Sequence, residues 1–496
     1  MIPCALLLLA LLSASLQAQE VCLLFSGEER GYLEPCGCAK PLLGGIAKRH
    51  TFLKSLSEPW LSVSLGDLAG GDTLAAGHLR RQDELKAETL IQALKIMNYS
   101  IHNLGEMDLD MGLEVLAYLF PPGPVTLLSS NIRLSGSHPD TPYTLEIVPY
   151  KVCEVGAGLT PAPVRAGLKP TPLRIGFLGI LSPTLLGPSP MAGVTLPPGV
   201  EIIPPAEALP PLIKELKDKA DVLVLLSHAP LEESLGLASD FPEFHLVASG
   251  HGADHPIVIN KDNTWVSTPG IKGKHLVLYR YNPDKGSGVI ETVTLDERLA
   301  DSALMLSLLD NYQERLKEEK LLSRVERFPL PRQTSYVGSR ACSPCHPAVF
   351  QHWGSTLHAT AYETLLKAGR ASDPECAACH VVGLNYVSGF QSQDISPDLT
   401  GVGCETCHGP GSLHIANAHR DRPSGPSNIS PLERGDKGVR KDRSKDLSLQ
   451  DGYGKVSPEG CKGCHDAEHG PTFQLESYWE RVKHPAETPI STAVVR

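Results

Sequence analysis

Cys342-Ser343-Pro344-Cys345-His346, Cys376-Ala377-Ala378-Cys379-His380, Cys404-Glu405-Thr406-Cys407-His408 and Cys461-Lys462-Gly463-Cys464-His465 decide how the C-terminal third of this chain is read. Each is C-x-x-C-H, the attachment signature of c-type haem. Two thiols one helical turn apart can add to the two vinyl groups of one porphyrin. The residue after them then brings an imidazole under the iron, so one motif tethers one haem and supplies its proximal ligand. Residue frequencies alone would produce about 0.01 copies of the motif in a chain like this one. Zinc knuckles and disulfides also use paired cysteines, but neither demands a histidine directly after every pair. Four covalently bound haem c groups are therefore expected, with His346, His380, His408 and His465 as proximal iron ligands.

Beyond the motifs, residues 335–496 leave His352, His358, His414, His419, His469 and His484 unassigned. A second imidazole closes the sixth position of a haem iron and makes an electron carrier, whereas an iron with only its proximal histidine is open to a substrate. Six candidates for four positions fit a bis-histidine cytochrome, and spacing alone does not say which histidine serves which iron.

Tyr336-Val337-Gly338-Ser339, Trp353, Ser355, His358-Ala359, the run from Gly403 to Gly411, and His414 resemble the cytochrome c-554 family of multihaem cytochromes. The resemblance covers about 160 residues and implies a mainly α, haem-packed tetrahaem domain over 335–496. It also implies that His358 ligates the fourth haem. His414, with His419 as competitor, would serve the first, and His484, with His469 as competitor, the third. The haem on Cys376, Cys379 and His380 would be five-coordinate. Residues 420–452 are rich in proline and charge without hydrophobic periodicity, and read as a long exposed loop.

The length of 496 residues allows two to four domains, and 41% hydrophobic content is ample for their cores. A net charge of −11 argues against nucleic acid or an anionic membrane surface as a partner. Gly 45 and Pro 42 point to a loop-rich chain in which long helices do not dominate. The apolar run from Ala5 to Leu12, followed by small and polar residues to Ala18, reads as a secretory signal over 1–19. It is too short to span a bilayer, and no later segment is long enough to form an integral membrane span. Covalent haem attachment belongs outside the cytoplasm, so a periplasmic or extracellular location is expected.

Residues 20–295 show short apolar strand candidates at 21–26, 60–66, 99–105, 125–131, 174–181, 221–227, 245–250, 274–281 and 289–295, with helix-like segments such as 81–97 between some of them. This alternation implies an α/β layered domain whose functional groups sit at strand C-terminal ends. Those ends carry Ser64-Leu65-Gly66-Asp67, Asn103 to Asp108, Leu226-Ser227-His228 and Ser249-Gly250-His251-Gly252. With Gly31 to Pro35 and Leu128 to Ile132, they resemble the calcineurin-like metallophosphoesterases, in particular the 5′-nucleotidase branch.

That resemblance implies a layered sandwich with a metal site. Its ligand positions are occupied here by Glu28, Asp67, Glu106, His228 and His251. Arg30 stands where a ligating histidine belongs, and Met107 replaces the histidine that assists the leaving group. Ala253 replaces the last ligand, with His255 as a displaced substitute. A guanidinium stays charged and has no lone pair to give, so one divalent metal (Mn, Fe or Zn) is expected rather than two, in a degenerate site. Cys36-Gly37-Cys38 could ligate a soft metal or act as a catalytic redox pair; the alternative is a structural disulfide, to Cys22 or Cys153.

Residues 296–334 read as a helical linker, a single charged and periodic helix over 296–328 ending in a hinge from Pro329 to Arg332. The whole chain reads as an exported tetrahaem c-type cytochrome behind a degenerate metallophosphoesterase-like domain. It would move electrons between redox partner proteins, such as other cytochromes or quinone-linked oxidoreductases. The alternative is a metal- or thiol-dependent enzyme, a hydrolase or oxidoreductase of phosphoesters, nucleotides or sulfur compounds, whose haems carry the electrons.

Overall fold

Alternating β-branched and aliphatic residues, closed off by Gly, Asn and Asp, build two stacked sheets. The computed structural model describes residues 20–35, 40–70, 78–135, 144–155, 172–186, 194, 196–420, 456, 458–466, 469–470 and 472–484. The described strands are β1 (Val21–Ser26), β2 (Trp60–Ser64), β3 (Tyr99–Asn103), β4 (Thr126–Leu128), β5 (Ile132–Leu134), β6 (Tyr150–Val155) and β7 (Leu173–Leu181). They continue with β8 (Val200–Ile202), β9 (Val222–His228), β10 (Leu246–Ser249), β11 (Ile257–Lys261), β12 (Thr264–Thr268), β13 (His275–Asn282) and β14 (Ser287–Thr294). One sheet has the order β14-β13-β1-β2-β3-β4, the other β11-β12-β10-β9-β7-β6, and β5 pairs with β8.

Within these sheets β1, β2 and β3 run parallel, as do β7, β9 and β10, while the outer strands β13, β14, β6 and β11 pair antiparallel. Leu23, Phe25, Val63 and Ile101 from one sheet meet Phe177, Val224, Leu226 and Leu246 from the other in a single buried core. A second layer of apolar side chains joins the far face of β7, β9 and β10 to the helices Pro205–Leu216 and Leu231–Asp240. The α/β layered sandwich read from the sequence is the architecture observed. Strands β5, β6, β8, β11 and β12 lie outside the expected segments; β11 is short and largely exposed, and it leaves little apolar signal.

Two compact units divide the chain. The first draws on Met1–Glu34, Leu43–Gly70 and Leu90–Ser302, and the second on Pro35–Leu42, Gly71–Thr89 and Ala303–Arg496. The division falls inside the helix Arg80–Ile96, which the sequence reading assigned whole to the first domain. Within the second unit, Arg81 donates to both Glu319 carboxylate oxygens at 2.9 and 2.8 Å. Gln82 Nε2 donates to the Tyr312 hydroxyl and to Asp373 Oδ1 at 3.0 and 2.9 Å, and Arg315 pairs with Glu88 at 2.6 Å.

The long helix expected over 296–328 is two helices, Ala303–Glu318 and Leu321–Arg324. Lys320 between them is left-handed at φ 53°, which ends the first helix. The rest of the second unit is made of short helices and turns: Ser339–Cys342, Pro347–Gly354, Ala361–Lys367, Pro374–His380, Cys404–His408, Ser412–Arg420, Pro458–Gly463 and Leu475–Val482. Its protein core is small, built on Tyr362, Leu365, Ala377, Val381, Val382, Phe390 and Leu399. The expected signal at 1–19 and the pair Cys36/Cys38 lie outside the described residues, as does all but the first residue of the loop expected at 420–452.

Candidate functional sites

Side chains from the C-terminal ends of five parallel strands converge in the first unit. Glu28 follows β1, Asp67 follows β2, Glu106 follows β3, His228 ends β9 and His251 follows β10. Glu28, Asp67, His228 and His251 each offer one ligand atom within 4.8 Å of the others. Glu106 bridges the two imidazoles, with Oε2 at 2.7 Å from His228 Nε2 and Oε1 at 3.7 Å from His251 Nδ1. His228 Nε2 lies 3.4 Å from Asp67 Oδ2, and its Nδ1 is 2.9 Å from the Leu65 carbonyl.

The loops reach this geometry through unusual backbone. Glu28, Arg30 and Asp67 are all left-handed, at φ 48°, 47° and 54°. Such residues cost energy and persist only where their surroundings hold them, a mark of functional sites. Here the two loops are zipped together: Glu28 N–H donates to the Gly66 carbonyl, Arg30 N–H to that of Asp67, and Gly31 N–H to that of Leu68. Beneath them, the buried Asp108 carboxylate accepts the N–H groups of Asp67, Leu68 and Gly105 at 2.9, 3.0 and 2.9 Å, and pairs with His102 Nε2 at 2.9 Å. A side chain at residue 105 would collide with the Asp67 carboxylate, so only glycine admits this approach.

Electrostatics follow from burial and close packing. Burial pushes the His228 imidazole down, but Asp67 and Glu106 outweigh it and raise it well above the ordinary histidine value. Burial lifts the Asp67 carboxyl to about 7 against the pull of His228. Burial also raises Glu106, but its hydrogen bond to His228 holds it below the usual carboxylate range. Glu28 Oε1, Asp67 Oδ2 and His251 Nδ1 are buried without a hydrogen-bond partner; the Glu28 and His251 atoms are 3.0 Å apart but not aligned for one. Orphaned carboxylate and imidazole atoms pointing at one spot are the donor set of a divalent cation.

Arg30 donates to Glu28 Oε2 at 2.7 Å. It lines a cavity of about 350 Å³ together with Glu28, His251, Ala253 and Asp254. A fixed positive charge thus lies beside the cluster. His255 is exposed and outside the ligand group. Cys22 and Cys153 are free buried thiols, raised by burial to about 12 and about 11.

In the second unit the eight motif cysteines are unbonded to one another. Cys342 lies beside Cys404 and Cys379 beside Cys464, which puts the first motif next to the third and the second next to the fourth. Histidines far apart in sequence face one another. Ring centroids of His346 and His414 are 6.1 Å apart, those of His358 and His465 6.3 Å, and those of His408 and His484 6.0 Å.

Two imidazoles sharing one iron at about 2 Å from each nitrogen, with each centroid roughly 1.1 Å behind its nitrogen, would stand roughly 6.2 Å apart. The observed spacings fit. Burial also holds His358, His414 and His465 below the ordinary histidine value, with a neighbouring imidazole adding to the effect for the first two. Neutral rings keep the lone pair that a metal needs.

His380 has a different setting. Its Nδ1 is 2.7 Å from the Ala361 carbonyl, which makes that nitrogen the donor and leaves Nε2 as the metal-facing atom. Among the described residues, no imidazole stands opposite His380 in the way the other three motif histidines are faced. Asp373 caps its helix by accepting Glu375 N–H at 3.0 Å, and Gln82 holds the same carboxylate from the distant segment 80–89. Spacing could not have found Gln82.

Of the competing ligands, His469 turns to Asp466 at 2.9 Å, and the side chain of His419 is outside the described residues. His358 is placed through its backbone: its carbonyl accepts Val402 N–H at 2.9 Å, while Trp353 Nε1 donates to the Val402 carbonyl at 2.9 Å. Phe473 stacks on His465, with centroids 4.5 Å apart.

The family described as cytochrome c554 and c-prime matches residues 341–409. Cytochrome c-554 of Nitrosomonas europaea is 33% identical over 180 residues, covering 33% of this chain and 69% of that protein. Among solved structures, the 5′-nucleotidase precursor of Thermus thermophilus is similar with a TM-score of 0.47 at 18% identity, over 71% of this chain and 68% of the other. The calcineurin-like phosphoesterase YfkN of Bacillus subtilis gives 0.45 at 15% identity, over 61% of this chain and 98% of its own.

Proposed function

The chain belongs to the cytochrome c-554 family, and from that premise we propose that it is an exported tetrahaem c-type cytochrome passing electrons between redox partner proteins. The observation that carries this reading is the set of three facing histidine pairs, each combining one motif histidine with a remote one. Haem c, when bound, supplies a one-electron iron couple. The eight motif thiols would anchor it, with His346, His380, His408 and His465 as the motif ligands and His414, His358 and His484 as the second ligands for the haems of His346, His465 and His408. His380 has no such partner among the described residues, which supports an open position there. The pairing of motif one with three and two with four supports short passages between neighbouring groups.

Export rests on the apolar run from Ala5 to Leu12 and on the haem chemistry. Among the described residues no helix is long and apolar enough to cross a membrane. Other cytochromes or quinone-linked oxidoreductases are the partners proposed. The test is purified secreted protein. Pyridine haemochrome absorbance should report one haem for each of the four motifs. The variants His358→Ala, His414→Ala and His484→Ala should each turn one low-spin iron high-spin in the oxidised EPR spectrum. A haem count near zero would end this reading, and spectra unchanged in all three variants would remove the distal assignments.

A second reading concerns the first unit, where Glu28 Oε1, Asp67 Oδ2 and His251 Nδ1 are buried without an aligned hydrogen bond. With His228 and Glu106 they would hold one Mn, Fe or Zn ion, and the Arg30 guanidinium disfavours a second cation beside Glu28. Such a metal would polarise a bound oxygen as a Lewis acid. A chain with this site would act as a metal-dependent enzyme on phosphoesters, nucleotides or sulfur compounds, with the haems taking up electrons; Cys36 and Cys38 are the thiol variant of the same idea. After equilibration with Mn or Zn and desalting, one non-haem metal per chain is expected. Asp67→Ala should weaken its retention by at least about 100-fold. A metal-free chain, or retention unaffected by that change, rules the site out.

A further inference from the structure

Glu405 occupies the first of the two variable positions in the third motif, where the attachment chemistry places no demand on the side chain. It is nevertheless 4% exposed. Its carboxylate accepts three backbone N–H groups, two from the remote segment Val337–Gly338 and one from Gly411 six residues on. Oε1 takes Gly411 at 2.7 Å and Val337 at 3.0 Å, and Oε2 takes Gly338 at 2.7 Å and Val337 at 3.1 Å. Around it the same segments are clamped further. Ser335 N–H donates to Ser412 Oγ at 2.8 Å, and Cys404 N–H donates to Ser339 Oγ at 3.1 Å.

These two segments carry the first histidine pair. Val337 and Gly338 lead directly into the turn Ser339–Cys342 and so to Cys345 and His346. Gly411 leads directly into the helix Ser412–Arg420, whose third residue is His414. Gly338 makes the entry at φ 83°, where any side chain would collide with Asp398, so the position admits only glycine. His346 and His414 end 6.1 Å apart although 67 residues lie between them in the chain.

Resting on the tetrahaem reading above, we propose that Glu405 is the positioning residue that sets His414 against His346, so that the third attachment motif governs ligation at the iron of the first. A carboxylate suits the task because both oxygens accept. An amide keeps one acceptor and turns an NH2 group toward backbone N–H groups, so one of the two segments must let go. A methylene shorter, aspartate retains the charge but not the reach.

The experiment uses the full haem-loaded chain. His414→Ala first identifies the low-spin EPR signal of this pair by its loss. In Glu405→Gln, with haem content equal to the parent, at least about half of that same signal is expected to become high-spin, since loss of a charged, buried hydrogen bond is worth a large change in a local equilibrium. Glu405→Asp is the second variant, read on the same signal, and serves alone if the glutamine protein does not accumulate. A parent-like signal at parent haem content in the variant obtained overturns the proposal. So does a change confined to the signals removed by His358→Ala or His484→Ala. Failure of the tetrahaem reading looks different, because the parent chain itself then carries no haem.

Discussion

Asp108→Ala is expected to be the most damaging single change in the first unit. The alanine protein leaves three buried N–H groups, those of Asp67, Leu68 and Gly105, and the His102 imidazole without their common acceptor. Each buried N–H stranded in this way typically costs about 1–3 kcal/mol, and three of them lose the same acceptor. At about 2–4 °C per kcal/mol for a unit of this size, the thermal midpoint of that unit should fall by roughly 10 °C.

Two units need not melt together, so the local readout is amide exchange at Asp67, Leu68 and Gly105. Exchange there should accelerate far more than in β9 or β10. The same change should abolish metal retention, because Asp67 and Glu106 sit on the two loops that Asp108 ties together. Amides that stay protected in the alanine protein would show that the carboxylate is not what secures these loops.

Arg49→Met is expected to have the next largest effect. Arg49 is 1% exposed and its Nη1 donates to Glu29 Oε1 at 2.7 Å and to Ser26 Oγ at 3.2 Å, while Tyr99 donates to Ser26 Oγ at 2.9 Å. Glu29 is fully buried. Methionine leaves that carboxylate buried without a counter-ion, at a cost of about 3–5 kcal/mol. Replacing both partners, as in Arg49→Met with Glu29→Leu, removes the stranded charge and should recover more than half of the loss.

The pair is therefore strongly coupled, and a double variant whose effect equals the sum of the two single ones would contradict this account. Function is touched as well. Glu29 lies between Glu28 and Arg30, and a side chain on Gly273 would collide with the Arg49 guanidinium, so the pair braces the loop that presents Glu28 to the cluster.

Much of the site was legible in sequence because its chemistry is local. A C-x-x-C-H motif holds its thiols and imidazole within five residues, and the strand ends announce Asp67, His228 and His251 by their apolar approach and abrupt polar stop. Glu28 and Glu106 were located only by resemblance to metallophosphoesterases, and their carboxylates do face the histidines. Glu405, Gln82 and Asp108 were not singled out as site residues. Each acts through backbone or side-chain groups brought in from other segments, and a lone acidic or amide residue in a sequence looks like any solvated one.

The same physical distinction separates the two levels for the chain as a whole. Order along the chain was enough to mark the four C-x-x-C-H motifs, the layered α/β frame and the polar strand ends, because each depends on residues within a turn or a strand of one another. The family resemblance, not spacing, implied that His414, His358 and His484 serve the haems of His346, His465 and His408, and the tertiary structure sets those rings 6.1, 6.3 and 6.0 Å apart. It alone drew residues 80–89 into the second unit and broke the 296–328 helix at Lys320. These outcomes depend on loop closure and on buried hydrogen bonds between segments tens to hundreds of residues apart, whose cost and reward leave no periodic trace in a sequence.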